Sequence, residues 1–436
     1  MYDQAFSYDT LKRMIRARDY EKDPSIKVPS VEHAYINSGV SAARSIFNGT
    51  NPLHSVKFKG KSICQIPSFA NELVIRKASF NFKFNAGITS PHRNSISRNL
   101  LTLISEGIPY AIYKLDIEGF YESFDFEVIK DLLQNLKGLN PLTRKLLLAL
   151  IDYHHSGGGK GVPRGLQISA LITEAIMRDF DVHCRGREGI FFYARYVDDI
   201  VIIVNPMISK TELLNEIKGK LPKGLKLNFD KVRVILHDKK VNPVKPSKVL
   251  ALASSASAVV SSPTPDFLFD FDYLGYNYRV YEPLEDKSLK LIRNQFRQVE
   301  VDLALSKVKR YKQRIIKSYL DFIANKNFDL LHNRIRFLTS NFSLEDESTG
   351  RRKFSGIYFN YPLISNSVRL EELDLFLKNS IFSTKGRVFP KLSALLNPRQ
   401  KQLLLKYSFV YGHKHRIFFH YSPMDLKRIQ ECWKYG

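Results

Sequence analysis

The chain has 436 residues, 44% hydrophobic and 12% aromatic, which is enough apolar material for a core and excludes global disorder. Lys and Arg number 67 against 43 Asp and Glu, and the resulting +24 favours a polyanionic partner, because each phosphate contact releases condensed counterions. There is no apolar run of about 18 residues and no lipidation motif, so no membrane partner is expected.

Cys64, Cys184 and Cys432 are scattered, suiting neither a disulfide framework nor a zinc cluster. The polar, charged opening MYDQAFSYDTLKRMIRARDY lacks the apolar stretch of a secretory leader. The expectation is a reduced, cytoplasmic protein. In chain order, residues 1–55 read as a basic, mostly helical extension, with Leu11, Met14 and Ile15 spaced for one apolar face. Residues 56–90 break short apolar and aromatic runs with Gly, Asn and Pro, which predicts strands and loops. Ser90-Pro91 reads as a helix start, continued at helical spacing by Ile96, Leu100, Leu101 and Ile104. AIYKLDIEGFYESF (111–124) begins as a β-type run and shifts towards helix, and 126–155 is helical.

GIFFYARYVDDIVIIV (189–204) predicts a hairpin with an acidic pair at its turn. LKLNFDKVRVIL (225–236) predicts a further strand pair, and 241–266, rich in Ser, Ala, Val and Pro, an inserted loop. FDFDYLGYNYRV (269–280) returns to strand, and 283–436 reads as helical and basic. Within it, LSKVKRYKQRIIKSYL (305–320) places Lys309, Arg310, Lys312 and Lys317 on a helix whose inward face is Leu305, Val308, Ile315 and Leu320.

Asp198 and Asp199 sit between apolar halves of the hairpin, where unpaired carboxylates are costly. Divalent ions make such placement favourable, and in-line phosphoryl transfer uses two of them to clamp the attacking and leaving oxygens. A solvated Asp-Asp turn is the simpler alternative. Asp116 ends another apolar run and precedes Phe120, Tyr121 and Phe124, so on an adjacent strand it would bring a third carboxylate to the same place. Taken alone it could equally be a helix cap.

LDIEGFY, GVPRGLQIS, YVDD, LNFDK and YLG stand in the order of polymerase motifs A to E of reverse transcriptases, and residues 70–280 resemble that superfamily. The resemblance implies an α/β (α+β) right-hand polymerase, with fingers and palm at 56–282 interrupted by the 241–266 insertion, and a helical thumb and C-terminal region at 283–436. It implies an RNA-directed DNA polymerase with two Mg²⁺ ions, or Mn²⁺ in their place, held by Asp116, Ile117, Asp198 and Asp199. Tyr121 would be the steric gate against a ribose 2′-hydroxyl, and Arg164 and Gly165 part of the loop under the template base and incoming dNTP. Lys231 would be a proton donor to pyrophosphate, and Arg76, Lys77 and Arg93 would hold the triphosphate. Leu274 and Gly275 would grip the primer, and Lys309, Arg310, Lys312 and Lys317 would lie along an RNA template–DNA product duplex.

Two stretches, LDIEGFYESF preceded by SPHRNSISRNL and RIRFLTSNF…GIYFNYPLIS (334–365), resemble bacterial defence-associated reverse transcriptases of the unknown groups, which copy an associated non-coding RNA or make unusual, sometimes template-poor, DNA. The homo-oligomeric state and protein partners stay open. So do three rivals: an RNA-dependent RNA polymerase, a palm-fold nucleotide cyclase, and a non-catalytic RNA-binding scaffold.

Overall fold

The computed structural model describes residues 2–58, 60–89, 92–237, 266–282, 296–345 and 352–434. Of the expected features, the Ser90-Pro91 helix start and all of the 241–266 insertion but Asp266 lie outside them. The chain divides into two compact units, Met1–His92 with Pro109–Asp238, and Arg93–Ile108 with Lys239–Gly436. No described helix is long and apolar enough to cross a membrane.

In the first unit, a two-stranded ribbon, β1 (His54–Phe58) and β2 (Lys61–Gln65), precedes a helix at Phe69–Asn85 where strands and loops were expected. The stretch SFNFKFN alternates with a strand's period of two, but burial of Leu73, Val74, Ala78 and Phe82 follows the helical period and Ser68 caps the first turn. Packing of that face decides the conformation. It leaves Phe80 and Phe84 to meet Tyr2 at the surface.

The unit is built on a four-stranded antiparallel sheet in the order β4-β5-β3-β6, comprising β3 (Tyr110–Asp116), β4 (Ile190–Tyr196), β5 (Asp199–Val204) and β6 (Arg233–His237). β3 and β5 are its central strands and are almost wholly buried, which their near-continuous apolar runs anticipate. Helices Phe126–Asn135, Pro141–Ser156 and Gln167–Ile176 pack Ile129, Leu133, Leu146, Leu150, Ile168 and Ile172 into the same core. Of 225–236 only the part from Arg233 onward is a full strand; Leu227 makes a single bridge to Ile117.

The second unit holds a helix, Arg93–Ile104, and a three-stranded antiparallel sheet, β7 (Phe267–Tyr273), β8 (Tyr276–Tyr281) and β9 (Gln298–Leu303). Long helices follow at Leu305–Asn325, Phe328–Thr339 and Val368–Phe382, with a second ribbon of β10 (Asn341–Glu345) and β11 (Arg352–Gly356). The inward face of Leu305–Asn325 is Val308, Tyr311, Ile315, Ser318, Tyr319 and Phe322. Leu305 and Leu320, expected inside, are exposed: one opens the helix, and the other lies five residues and about 140° round from Ile315.

Candidate active site

β3 ends on Asp116 and β5 begins on Asp199, and the two residues are direct cross-strand partners. Directly opposed side chains share one face of the sheet with Cβ atoms about 5 Å apart, so two carboxylates meet there and repel. Asp198 precedes in the β4–β5 turn, where its carbonyl accepts from the Ile117 amide at 3.2 Å. Burial pushes the Asp199 carboxyl above the usual carboxylate range, and the charges of Asp198 and Asp116 push it further. Fold and hairpin register thus set Asp116 beside Asp199, with Asp198 in the adjoining turn.

The turn has an unusual backbone. Val197, β-branched, is left-handed at φ 61°, a region that costs such a residue on the order of 1–2 kcal/mol. Arg195 pins it: its Nη1 donates to the Val197 carbonyl at 3.0 Å. The guanidinium is itself locked by Asp181 (2.8 and 2.9 Å) and Glu174 (2.8 and 3.0 Å), and Tyr193 donates to Asp181 at 2.6 Å.

A second wall is formed by Tyr121 and the loop at 161–165. The Val162 amide donates to the Tyr121 carbonyl at 2.9 Å, and the Arg164 carbonyl accepts from Cys64 on β2 at 2.7 Å. Both loop glycines are required sterically. A Cβ on Gly161 (φ 60°) would lie 2.1 Å from the Tyr121 carbonyl oxygen, and one on Gly165 (φ 105°) 2.8 Å from that of Cys64. Arg164 forms a two-pronged pair with Glu122 (2.6 and 2.9 Å) and lies 4.9 Å over the Tyr121 ring. The phenol is thereby half-buried at a fixed height, and burial raises its pKa.

The third wall is the segment after the helix Lys210–Lys220. The Asn228 amide donates to the Asp116 carbonyl at 2.8 Å, and Lys231 Nζ donates to Asp116 Oδ2 at 3.0 Å, a bond that raises the lysine pKa. Together the walls enclose a polar cleft of about 320 Å³ lined by Asp116, Ile117, Tyr121, Arg164, Asp198 and Lys231. Among the described residues no three carboxylate, His or Cys groups stand close enough to grip a metal ion as placed. Chemistry and charge nonetheless fit a divalent cation: the donors are hard oxygens, Asp116 already draws an ammonium, and burial together with the Asp198 and Asp116 charges pushes the Asp199 carboxyl up.

Residues 77–277, which carry every wall of this cleft but Lys61 and the rest of the β1–β2 ribbon, match the model of the family described as reverse transcriptase (RNA-dependent DNA polymerase). Over those residues the chain is similar to reverse transcriptases. Among solved structures, the chain is similar to apo telomerase from Candida tropicalis truncated from its C-terminal domain, at 13% identity and TM-score 0.31, over 58% of this chain and 55% of that one. It is similar to telomerase from Candida albicans in complex with a fragment of telomeric RNA, at 13% identity and TM-score 0.29, over 82% and 53%. A further apo telomerase from Candida tropicalis gives 11% and 0.34, over 87% and 64%. The chain thus covers less than two thirds of each of those proteins. No curated protein matches it.

The structure brings Asp116, Ile117, Tyr121, Arg164, Asp198 and Lys231 into one cleft, with Asp199 beside Asp116. Arg76 and Lys77, expected on the triphosphate, are corrected to structural roles. Arg76 pairs with Asp19 at 2.5 and 2.9 Å and with Glu72, and donates to the Met14 carbonyl. Lys77, 2% exposed, donates to the Asp3 carbonyl at 2.6 Å and to Tyr2 at 2.9 Å. Both tie the N-terminal segment to the helix Phe69–Asn85.

Arg93 belongs to the second unit. It lies between the rings of Tyr276 and Tyr361, at 5.2 and 5.1 Å, and its Nε donates to the Leu274 carbonyl at 2.9 Å. Leu274 (φ 47°) and Gly275 (φ 83°) form the β7–β8 turn, so this left-handed turn is also pinned through a carbonyl by an arginine. Lys309 and Arg310 are exposed on their helix, Lys317 is half-exposed, and Lys312 is paired with Glu372 at 2.6 Å.

Sequence reading missed Arg195 with Asp181 and Glu174, and also Asn228, Asp230 and Lys61, which line or brace the cleft. For Arg195 a signal existed: it occupies an inward, period-two position, beside Tyr193, in an otherwise apolar strand.

Proposed function

We propose that the chain is an RNA-directed DNA polymerase that extends a primer with deoxynucleotides. The carrying observation is the pairing of Asp116 with Asp199 across the central strands, with Asp198 in the adjoining turn, at a cleft closed by Tyr121 and the 161–165 loop. In this reading the primer 3′-oxygen attacks the α-phosphorus as the bond to pyrophosphate breaks, a reaction that depends on positioning and charge neutralisation. Asp116, Asp198, Asp199 and the Ile117 backbone would hold Mg²⁺ or Mn²⁺, which when bound neutralises charge on the reacting oxygens. Tyr121, held by Arg164 and the loop, closes the space a 2′-hydroxyl would occupy. Lys231 carries a proton at Nζ, available to the leaving pyrophosphate.

The template and product are proposed to be an RNA and its complementary DNA, which the +24 charge and the exposed Lys309 and Arg310 support. A setting in bacterial antiphage defence, in the cytoplasm and with an associated non-coding RNA, is proposed on the likeness of LDIEGFYESF and RIRFLTSNF…GIYFNYPLIS to the defence-associated group.

The test is primer extension by the purified chain on an RNA template, with dNTPs or NTPs, alongside Asp198→Ala/Asp199→Ala. Extension with dNTPs, abolished in the double variant, is expected. Incorporation of NTPs instead identifies an RNA polymerase. Extension that survives the double variant refutes the carboxylate assignment, and bound RNA with no synthesis favours a scaffold.

A further inference from the structure

The second unit contains a cavity of its own, about 330 Å³, which the polymerase reading does not use. One wall is aromatic: Phe337 stacks on Phe342 with ring centroids 4.1 Å apart, and Trp433 follows at 5.7 Å. Trp433 is fixed in place, its indole N–H donating to the Arg314 carbonyl at 3.0 Å and Ser318 Oγ at 3.2 Å. The Arg314 guanidinium lies 5.3 Å over the indole. Among the described residues it has neither a carboxylate nor a hydrogen-bond acceptor, although burial works against its charge and lowers its pKa.

Tyr311, only 9% exposed, lines the same space. Lys434 adds a second cation at the rim, and among the described residues no carboxylate lines the cavity. A half-buried guanidinium without an anion, set beside an aromatic wall, suits a ligand with both a negative charge and a flat face.

We infer that this cavity binds a nucleoside phosphate, its base stacked on the Trp433 and Phe337–Phe342 wall and its phosphate against Arg314 and Lys434. Stacking on aromatic faces is sequence-tolerant, and a cation beside the ring supplies the phosphate contact. The ligand is a free nucleotide or one nucleotide of a single strand. The inference is independent of the catalytic carboxylates.

Trp433 is the only tryptophan in the chain, so its fluorescence reports this cavity alone. The experiment titrates the full chain with dAMP, a short oligoadenylate, or inorganic phosphate, and repeats this on Lys434→Glu, whose position is exposed, and on Arg314→Gln. Saturable quenching by dAMP, weakened about tenfold in each variant, supports a free-nucleotide site. Quenching by the oligomer alone, with the same weakening, supports a site for a nucleotide within a strand. Absence of saturable quenching by either, quenching that both variants leave unchanged, or an equal response to inorganic phosphate overturns the inference.

Discussion

Removing the Arg195 side chain probes how the fold holds its acidic turn. The guanidinium is 2% exposed and makes five hydrogen bonds, four to Asp181 and Glu174 and one to the Val197 carbonyl. Arg195→Met strands two largely buried carboxylates, and breaking a buried pair from one side costs about 3–5 kcal/mol. That is a large part of the roughly 5–15 kcal/mol that stabilises a domain, and corresponds to a melting point lower by roughly 10 °C. Stability and turn geometry can then be separated. Adding Glu174→Met, Asp181→Leu and Tyr193→Phe removes the stranded acids and the phenol that donates to Asp181, and apolar replacement of a buried ion network is often close to neutral. Urea unfolding of this four-residue variant is expected within about 2 kcal/mol of the parent. Primer extension should nevertheless stay at least about tenfold down, because no donor holds the Val197 carbonyl and its left-handed backbone can relax. A single Arg195→Met cost below about 1 kcal/mol, or full extension by the four-residue variant, would refute this reasoning.

Gly161→Ala places a Cβ 2.1 Å from a backbone oxygen at φ 60°, so it should cost at least about 2 kcal/mol and most of the extension activity, while Gly158→Ala, at φ 81° in open space, should cost only about 1 kcal/mol; equal urea midpoints for the two would contradict the contact argument. Asp199 binds its proton more tightly folded than unfolded, so its contribution to stability falls as pH rises from the ordinary carboxylate range through its raised value, and the penalty is complete above that. Asp199→Asn should therefore be the more stable protein at pH 8 though inactive, with the advantage shrinking towards pH 4; a variant less stable than the parent at pH 8 would reverse the assigned sign. Tyr121→Val should raise ribonucleotide use relative to deoxynucleotide use by more than about tenfold in single-nucleotide extension, whereas an unchanged ratio would leave Tyr121 a packing residue.

The three aspartates were legible because each terminates or interrupts an apolar strand, where nothing in packing chemistry accounts for a carboxylate. The hairpin that joins two of them was legible for the same reason. What escaped was set by partners far along the chain. Arg76 reaches Asp19 across 57 residues and Arg93 reaches the Leu274 carbonyl across 181, and a guanidinium that can hold a phosphate can equally hold a carboxylate or a carbonyl. The helix Phe69–Asn85 escaped because Phe80, Phe82 and Phe84 mimic a strand's alternation while only Phe82 is buried. Leu320 was misplaced because apolar character was taken for burial, although the helical angle carries it to solvent.

The facing of Asp116 and Asp199 is a matter of strand register, and register is not adjustable by degrees. A slip of one residue along β3 or β5 would send one carboxylate to the opposite face of the sheet, and a slip of two would move it about 6.6 Å along the strand. The distance between the acids therefore admits only discrete values, of which one is useful. Lengthening or shortening the loops around the sheet leaves that distance alone, so whatever tunes the chemistry of this cleft, by selection or by engineering, has to act through the side chains that face the acids and through the two residues of the β4–β5 turn.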